Sequence, residues 1–302
     1  MQIHRGLPAR PLGPAVITIG SFDGVHLAHQ RLFRQVVDDA AGLGAVPVAV
    51  TFEPHPRCVL QPDHCPRLLT LLDEKAALID AGGIAELVVI PFDRNFSQKS
   101  PAEFMAWLGD GMEVREVVAG YDFVFGRQRA GTSAWLRERG YPVVEVDMVE
   151  IDGRQVHSSA VRGLVGSGEV GAAADLLGRH YSVHGEVVEG HKRGRQLGFP
   201  TANVAVGTAK AVPGPAAYAG WARTRRGERM AAISVGHQPT FGGGDLAVEA
   251  HLLDFDADLY GQDVEVRFVQ RLHPDIRFPS VAALVEQIGE DVDETRRLLT
   301  AG

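Results

Sequence analysis

The chain has 302 residues, enough for two domains with separate apolar cores, and its 30 basic against 38 acidic residues give a formal net charge of −8. A mildly acidic chain without a basic arm or stripe argues against a nucleic-acid partner, whereas small anionic ligands need only local helix ends and single arginines. No apolar run approaches the length of a membrane span, and Met1 to Gly6 lack the apolar core of a secretion signal, so the expectation is a cytoplasmic protein with no membrane partner.

In chain order, Val16 to Ile19 reads as a buried strand and Arg31 to Val37 has the apolar spacing of an amphipathic helix. Between them, the run from Gly20 to Gln30 makes a glycine-flanked turn that ends in two histidines at the start of that helix. Free backbone N–H groups at a helix start, with the positive end of its dipole, attract phosphate, and His26 and His29 add two donors on one face. Taken alone, a histidine pair at a helix start is more often surface or capping chemistry. Residues 46 to 52 follow as a strand. Cys58 and Cys65 are the only cysteines, which gives no disulfide framework, and with His55 and His64 they match no usual zinc spacing. The expectation there is a proline-rich loop with buried or idle thiols.

A helix over 73–81, a strand over 86–91 and a helix over 101–108 come next, the last capped by Ser100 with Pro101 in its first turn. Strands near Val117 and over 143–149 complete an alternation that implies right-handed crossovers and a parallel sheet covered by helices on both faces. Ligands of such sheets bind beyond the carboxyl ends of the strands, where Gly20 to His29 would lie. After a glycine-rich stretch around a short helix, the texture changes at Tyr181 to short strands over 182–188, 217–224, 230–235, 248–255 and 263–268. Turn residues at Arg225 to Glu228 and Gly242 to Asp245 separate them, a pattern for a small antiparallel barrel or sandwich. Residues 280 to 299 read as one or two helices capped by Ser280. The domains are therefore expected to be 1–180 and 181–302.

Gly20 to His29 resembles the Gly-x-Phe-Asp-Gly-x-His-x-Gly-His signature of bacterial bifunctional riboflavin kinase/FAD synthetases, a branch of the nucleotidyltransferase superfamily, with Ala28 in place of a glycine. The likeness recurs in order through Thr51-Phe52-Glu53-Pro54-His55-Pro56, Val118 to Gly126, Ser158-Ser159 with Arg162, Gly194 to Asn203, Pro239-Thr240-Phe241, Glu249 to Phe255 and Leu259-Tyr260-Gly261. It implies a Rossmann-like nucleotidyltransferase domain followed by a six-stranded antiparallel barrel with terminal helices. It also implies two reactions, riboflavin to FMN and FMN to FAD, with ATP as co-substrate and Mg2+ as cofactor.

By this resemblance His26 and His29 contact the triphosphate, and Gly20, Phe22, Asp23 and Gly24 bring the main chain close to the nucleotide. Ser158, Ser159 and Arg162 form a second phosphate clamp, and Asp122 and Phe123 lie on the flavin side. In the second domain, Gly194 and Arg195 belong to a phosphate-facing loop, Thr201 and Asn203 suit a magnesium ion shared with nucleotide phosphates, and Glu249 is the general base for the riboflavin 5′-hydroxyl. Read singly, Asp23 and Asp122 are turn caps, Ser158-Ser159 an N-cap and Glu249 a solvent-facing strand residue. Departures from the family pattern stand at Ala28, His157, Ala216 and His273. They leave two alternatives: a diverged paralogue with one activity lost or another substrate, and a flavin-binding sensor without turnover. Retained His26, His29, Thr201, Asn203 and Glu249 count against the sensor, because a binder needs neither a base nor metal ligands.

Overall fold

The structure, a computed structural model, describes residues 1–190, 194, 197–237 and 246–300. It divides into two compact units, Met1–Ser158 and Ser159–Gly302.

The first unit is a parallel sheet of six strands: β1 (Gln2–Arg5), β2 (Pro14–Ile19), β3 (Val46–Glu53), β4 (Glu86–Pro91), β5 (Glu113–Gly120) and, after two short ones, β8 (Val143–Val146). The spatial order is β1-β4-β3-β2-β5-β8. β6 (Val124–Phe125) and β7 (Gly131–Thr132) form a separate ribbon, as do β9 (Glu150–Ile151) and β10 (Arg154–Gln155). β1 at the sheet edge, paired in parallel with β4, has no counterpart in the sequence reading. The central strand β2 is apolar apart from the buried Thr18, because both of its faces are covered: Ala15, Ile17 and Ile19 join one core, and Val16 joins the other. Each such fully buried Val or Ile contributes about 1.5–3 kcal/mol relative to exposure.

Helices α1 (Leu27–Leu43), α2 (Pro56–Leu60), α3 (Leu72–Ala81), α4 (Pro101–Gly111) and α5 (Ser133–Arg137) connect the strands. α1 turns Phe33, Val36 and Ala40 inward at helical spacing. α4 starts with a capping box, Ser100 accepting from the Glu103 N–H while the Glu103 carboxylate accepts from Ser100, with Pro101 at the first position. From β2 the chain moves through β3 and β4 to one side of the sheet and then crosses back to β5 on the other side. The order therefore reverses between β2 and β5, and the loop leaving the carboxyl end of β2 is the one at that switch point.

The second unit begins within α6 (Ser158–Ser167), followed by α7 (Val170–Leu177). The sequence boundary near 180 marks where strand texture begins. The contacts divide the chain at 158/159, because α7 packs on the barrel strands β11 (Tyr181–Val188) and β16 (Asp263–Pro274). With β12 (Ala202–Val206), β13 (Ala216–Thr224), β14 (Gly227–His237) and β15 (Leu246–Leu252), these close a barrel in the order β11-β12-β15-β14-β13-β16, antiparallel at every seam. The barrel alternative of the sequence reading is the one realised, since closure removes both sheet edges. Arg225 and Arg226 form the turn between β13 and β14, as expected, whereas the turn expected at Gly242 to Asp245 lies outside the described residues. At Gly220 the β13–β16 register shifts, and a Cβ there would collide with the Arg267 carbonyl. Residues 281 to 300 form one helix, α8 (Val281–Thr300), with the Ser280 hydroxyl accepting from the Ala283 N–H.

One expectation is overturned. Cys58 and Cys65 are joined in a disulfide, with their Cα atoms 4.2 Å apart. Pro56 starts α2 and Pro62 starts a 3-10 turn, so the prolines of the expected loop fold it back and bring the sulfurs together. Closing so short a loop removes about 2.4 kcal/mol of unfolded-chain entropy at most. In scanning calorimetry of the full chain, a dithiol reductant or Cys58→Ser should lower the first unit's transition by a few degrees. A transition unmoved by either would mean that the bridge adds nothing to stability.

Candidate functional site

The loop leaving β2 is built around unfavourable backbone. Phe22 (φ 48°), Gly24 (φ 84°) and Val25 (φ 41°) all lie in the left-handed region, where a bulky or β-branched residue costs on the order of 1–3 kcal/mol. Burial offsets this: Phe22 and Val25 are each 1% exposed, and Phe22 meets His29 and Phe33 edge to face at 5.3 and 5.0 Å. Gly20 is required beside that ring, because a Cβ there would lie 2.7 Å from it.

Asp23 holds the loop's shape. Its carboxylate, buried with the residue 2% exposed, accepts from the Leu69 and Thr70 N–H groups at 2.9 and 3.0 Å. The Thr70 hydroxyl oxygen accepts from the Gly24 N–H at 2.9 Å. Ser158 at the start of α6 donates to the Asp23 carbonyl at 2.9 Å. The Asp23 side chain is thus occupied by the main chain of the segment before α3. It shapes the loop, and Gly24 is bound into the same knot.

Beyond the knot, His26 precedes α1 and His29 sits in its first turn, their rings stacked at 3.6 Å and 18°. Helical spacing brings both imidazoles to one place at the amino end of α1, as the sequence predicts. Ala28 lies between them, partly exposed. Asp122 is exposed in the tight turn after β5, where the Phe123 N–H donates to the Gly120 carbonyl. Phe123 stacks on Phe125 at 5.4 Å and packs against one of the sheet's two cores. Ser159 and Arg162 follow Ser158 on α6, in the part that groups with the second unit.

Lys75 was not singled out from the sequence. It is 5% exposed and donates to the Ser21 carbonyl at 3.0 Å and to Thr51 Oγ1 at 3.2 Å. Its signal was there: a lysine at a position of α3 that falls in step with Leu72, Ala76 and Ile79 on the apolar stripe.

In the barrel, Asn203 on β12 pairs in register with Glu249 on β15, and Thr201 Oγ1 donates to Glu249 Oε2 at 3.2 Å. Two cavities meet at this pair. One, of about 550 Å³, is lined by Thr201, Asn203, Asp256, Asp258 and Tyr260 among others. The second, of about 250 Å³, is lined by Thr201 and Glu249, by the apolar Phe199, Ile233 and Leu284 with Tyr218, and by further polar residues including His251, Asp275 and Asp291. Gly194 lines the second cavity, and its own loop leaves no room for a Cβ, which would strike the Phe199 carbonyl. Arg195 and the Pro239-Thr240-Phe241 block lie outside the described residues. Of the departures, Ala216 is a buried wall residue of the second cavity. His273, also lining it, places Nε2 3.0 Å from the Asp291 carboxylate and so ties β16 to α8. Burial pushes the Tyr218 phenol up to about 12, so it stays a neutral donor to the Gly214 carbonyl.

A helix start at the switch point of a parallel sheet, and a barrel with a hydroxyl, an amide and a carboxylate converging between two cavities, together define a two-unit transferase of phosphorus-containing groups. The comparisons agree. The FAD synthetase family model matches residues 10–160 and the riboflavin kinase model residues 177–299. The bifunctional riboflavin kinase/FMN adenylyltransferase of Pseudomonas fluorescens is 36% identical over 308 residues, covering 99% of this chain and 98% of that one. The protein of the same name from Listeria monocytogenes is 32% identical over 286 residues, covering 93% and 91%. A solved structure titled a macrolide-efflux protein, from Streptococcus pneumoniae, superposes with a TM-score of 0.90 at 30% identity, covering 97% of this chain and 98% of that one. Among the described residues here, no helix is long and apolar enough to cross a membrane. The chain belongs to the bifunctional riboflavin kinase/FMN adenylyltransferase family.

Asp23→Ala should remove the carboxylate acceptor of two buried amides and release the strained loop, lowering the first unit's stability by about 2–4 kcal/mol. Denaturant unfolding followed by a probe in that unit measures it; a loss below about 0.5 kcal/mol would contradict the structural role of this carboxylate.

Proposed function

We infer that the chain carries out two successive reactions on a flavin, phosphorylating riboflavin to FMN and adenylylating FMN to FAD with ATP as substrate in both. We assign adenylyl transfer to the domain over 1–180 and phosphorylation to the domain over 181–302, in line with the two family-model matches. The observation that carries the kinase half is the Thr201–Glu249 contact at the meeting of the two cavities. A flavin ring against the apolar side chains of the second cavity brings its side-chain hydroxyl to Glu249, and nucleotide phosphates in the first face Thr201 and Asn203. Glu249 accepts the hydroxyl proton as the oxygen attacks the γ-phosphorus of ATP, and ADP departs. Thr201 and Asn203, with Asp256 and Asp258 on the same cavity wall, supply the hard oxygen donors that a magnesium ion takes when it screens nucleotide phosphates.

Adenylyl transfer needs no covalent enzyme intermediate: an FMN phosphate oxygen attacks the α-phosphorus of ATP in line and pyrophosphate leaves. The enzyme must hold two anions together and spread the developing charge. His26 and His29 serve the triphosphate, with the first-turn amides of α1 and the Gly20 to Gly24 loop, where Phe22 supports the His29 ring. Asp122 and Phe123 keep the flavin-side role, and Ser158, Ser159 and Arg162 the phosphate role, that family resemblance gives them. Ala28 adds one methyl beside the histidines. A cytoplasmic location suits an enzyme that consumes ATP twice.

Chromatography of riboflavin, FMN and FAD over time, starting from riboflavin or from FMN with Mg-ATP, tests both halves. Glu249→Ala should reduce FMN formation by about 10²–10⁴-fold and leave FMN-to-FAD conversion intact. The double variant His26→Ala/His29→Ala should do the reverse. Loss of both activities in either folded variant would contradict two separable sites. Flavin binding without any product would favour a sensor.

A further inference from the structure

Lys75 differs in kind from the other groups that hold the loop after β2. Its ammonium is buried and bonds the Ser21 carbonyl and Thr51 Oγ1, while the Thr51 hydroxyl also donates to the Ser21 carbonyl at 3.2 Å. A neutral donor could make such bonds at far lower desolvation cost, so the retained charge calls for a use. Two carboxylates act on it: Asp23 from the loop and Glu53 from the end of β3. Both would oppose a polyanion arriving at the start of α1. Burial pushes the Lys75 ammonium below the usual lysine range, and the two carboxylates pull it partly back.

We propose that Lys75 is a positioning residue for adenylyl transfer, its ammonium fixing the Ser21 carbonyl and offsetting Asp23 and Glu53 so that the loop accepts the triphosphate of ATP. This rests on the adenylyltransferase reading of the first domain. Lys75 bonds the loop and β3, so its charge acts on nucleotide affinity ahead of the in-line step.

Lys75→Met keeps the length of the stem and removes the charge. It should raise the KM for ATP in FMN-to-FAD conversion about tenfold or more, with kcat little changed and riboflavin phosphorylation unaffected. In the wild type the same KM should climb toward alkaline pH, because the ammonium is lost as pH rises through its lowered pKa. Lys75→Arg stays charged, so it should restore ATP affinity and keep the KM flat across that range. Calorimetric titration of the full chain with ATP reads binding without turnover, and Lys75→Met should weaken one class of sites only. An unchanged KM in folded Lys75→Met, or the same alkaline rise in Lys75→Arg as in the wild type, overturns the proposal. Should Lys75→Met fail to fold, the pH comparison of wild type with Lys75→Arg decides it. If wild-type protein makes no FAD from FMN but one class of ATP sites still follows the Lys75 charge, the adenylyltransferase reading fails and the nucleotide-binding role of Lys75 stands.

Discussion

The Asp23 carboxylate, buried inside the turn that leaves β2 and bonded to the Leu69 and Thr70 amides, is the interaction from which the rest of the first unit's site follows. Phe22, Gly24 and Val25 occupy backbone conformations that relax in a free chain, and they persist because several independent contacts fix them at once. Asp23 binds the segment before α3, Thr70 binds Gly24, Lys75 binds Ser21, and Ser158 closes on the Asp23 carbonyl. Phe22, turned inward by that strain, supports the ring of His29, which in turn stacks on His26. Backbone strain, buried charge and the placement of two imidazoles are therefore one coupled system. Each of these ties involves a buried or partly buried polar group, so losing one costs stability as well as loop geometry.

The barrel solves a different problem with less strain. Antiparallel pairing sets Asn203 opposite Glu249 through register alone, and barrel closure gives the two strands fixed neighbours on both sides. Thr201, just before β12, is within reach of the same carboxylate, so one short stretch of chain serves two cavities. α8 is anchored at two points, by His273 to Asp291 and by the paired bonds of Arg296 to Asp254 in the turn after β15. The second bond is solvent-exposed and adds little stability by itself, but it falls beside the loop that lines the larger cavity.

Much of this was legible in residue order, for a physical reason particular to each element. β2 reads as a strand because both its faces are buried, and α4 because Ser100, Pro101 and Glu103 write its cap, whereas short strands separated by turn residues gave only a barrel or a sandwich, and the family resemblance supplied the six-stranded barrel that the structure shows. The histidine pair was visible because two residues three apart on a helix share a face without any help from the rest of the fold. The disulfide was misread because a spacing of seven residues says nothing about whether a loop doubles back. The edge strand β1 was missed because four residues, mostly exposed, carry almost no pattern, and β4 supplies the pairing.

By itself, the sequence determined the two textures of the chain and the helix start with its histidines, since these follow from local spacing and residue type, while the candidate trio Thr201, Asn203 and Glu249 was visible only through the ordered family resemblance. Tertiary structure alone decided that Asp23 bonds amides some 46 positions away, that Lys75 brings a buried charge to the loop, and that Thr201 meets Glu249 across the 48 positions between them. Contacts at such separations depend on strand order and register, which no local pattern encodes.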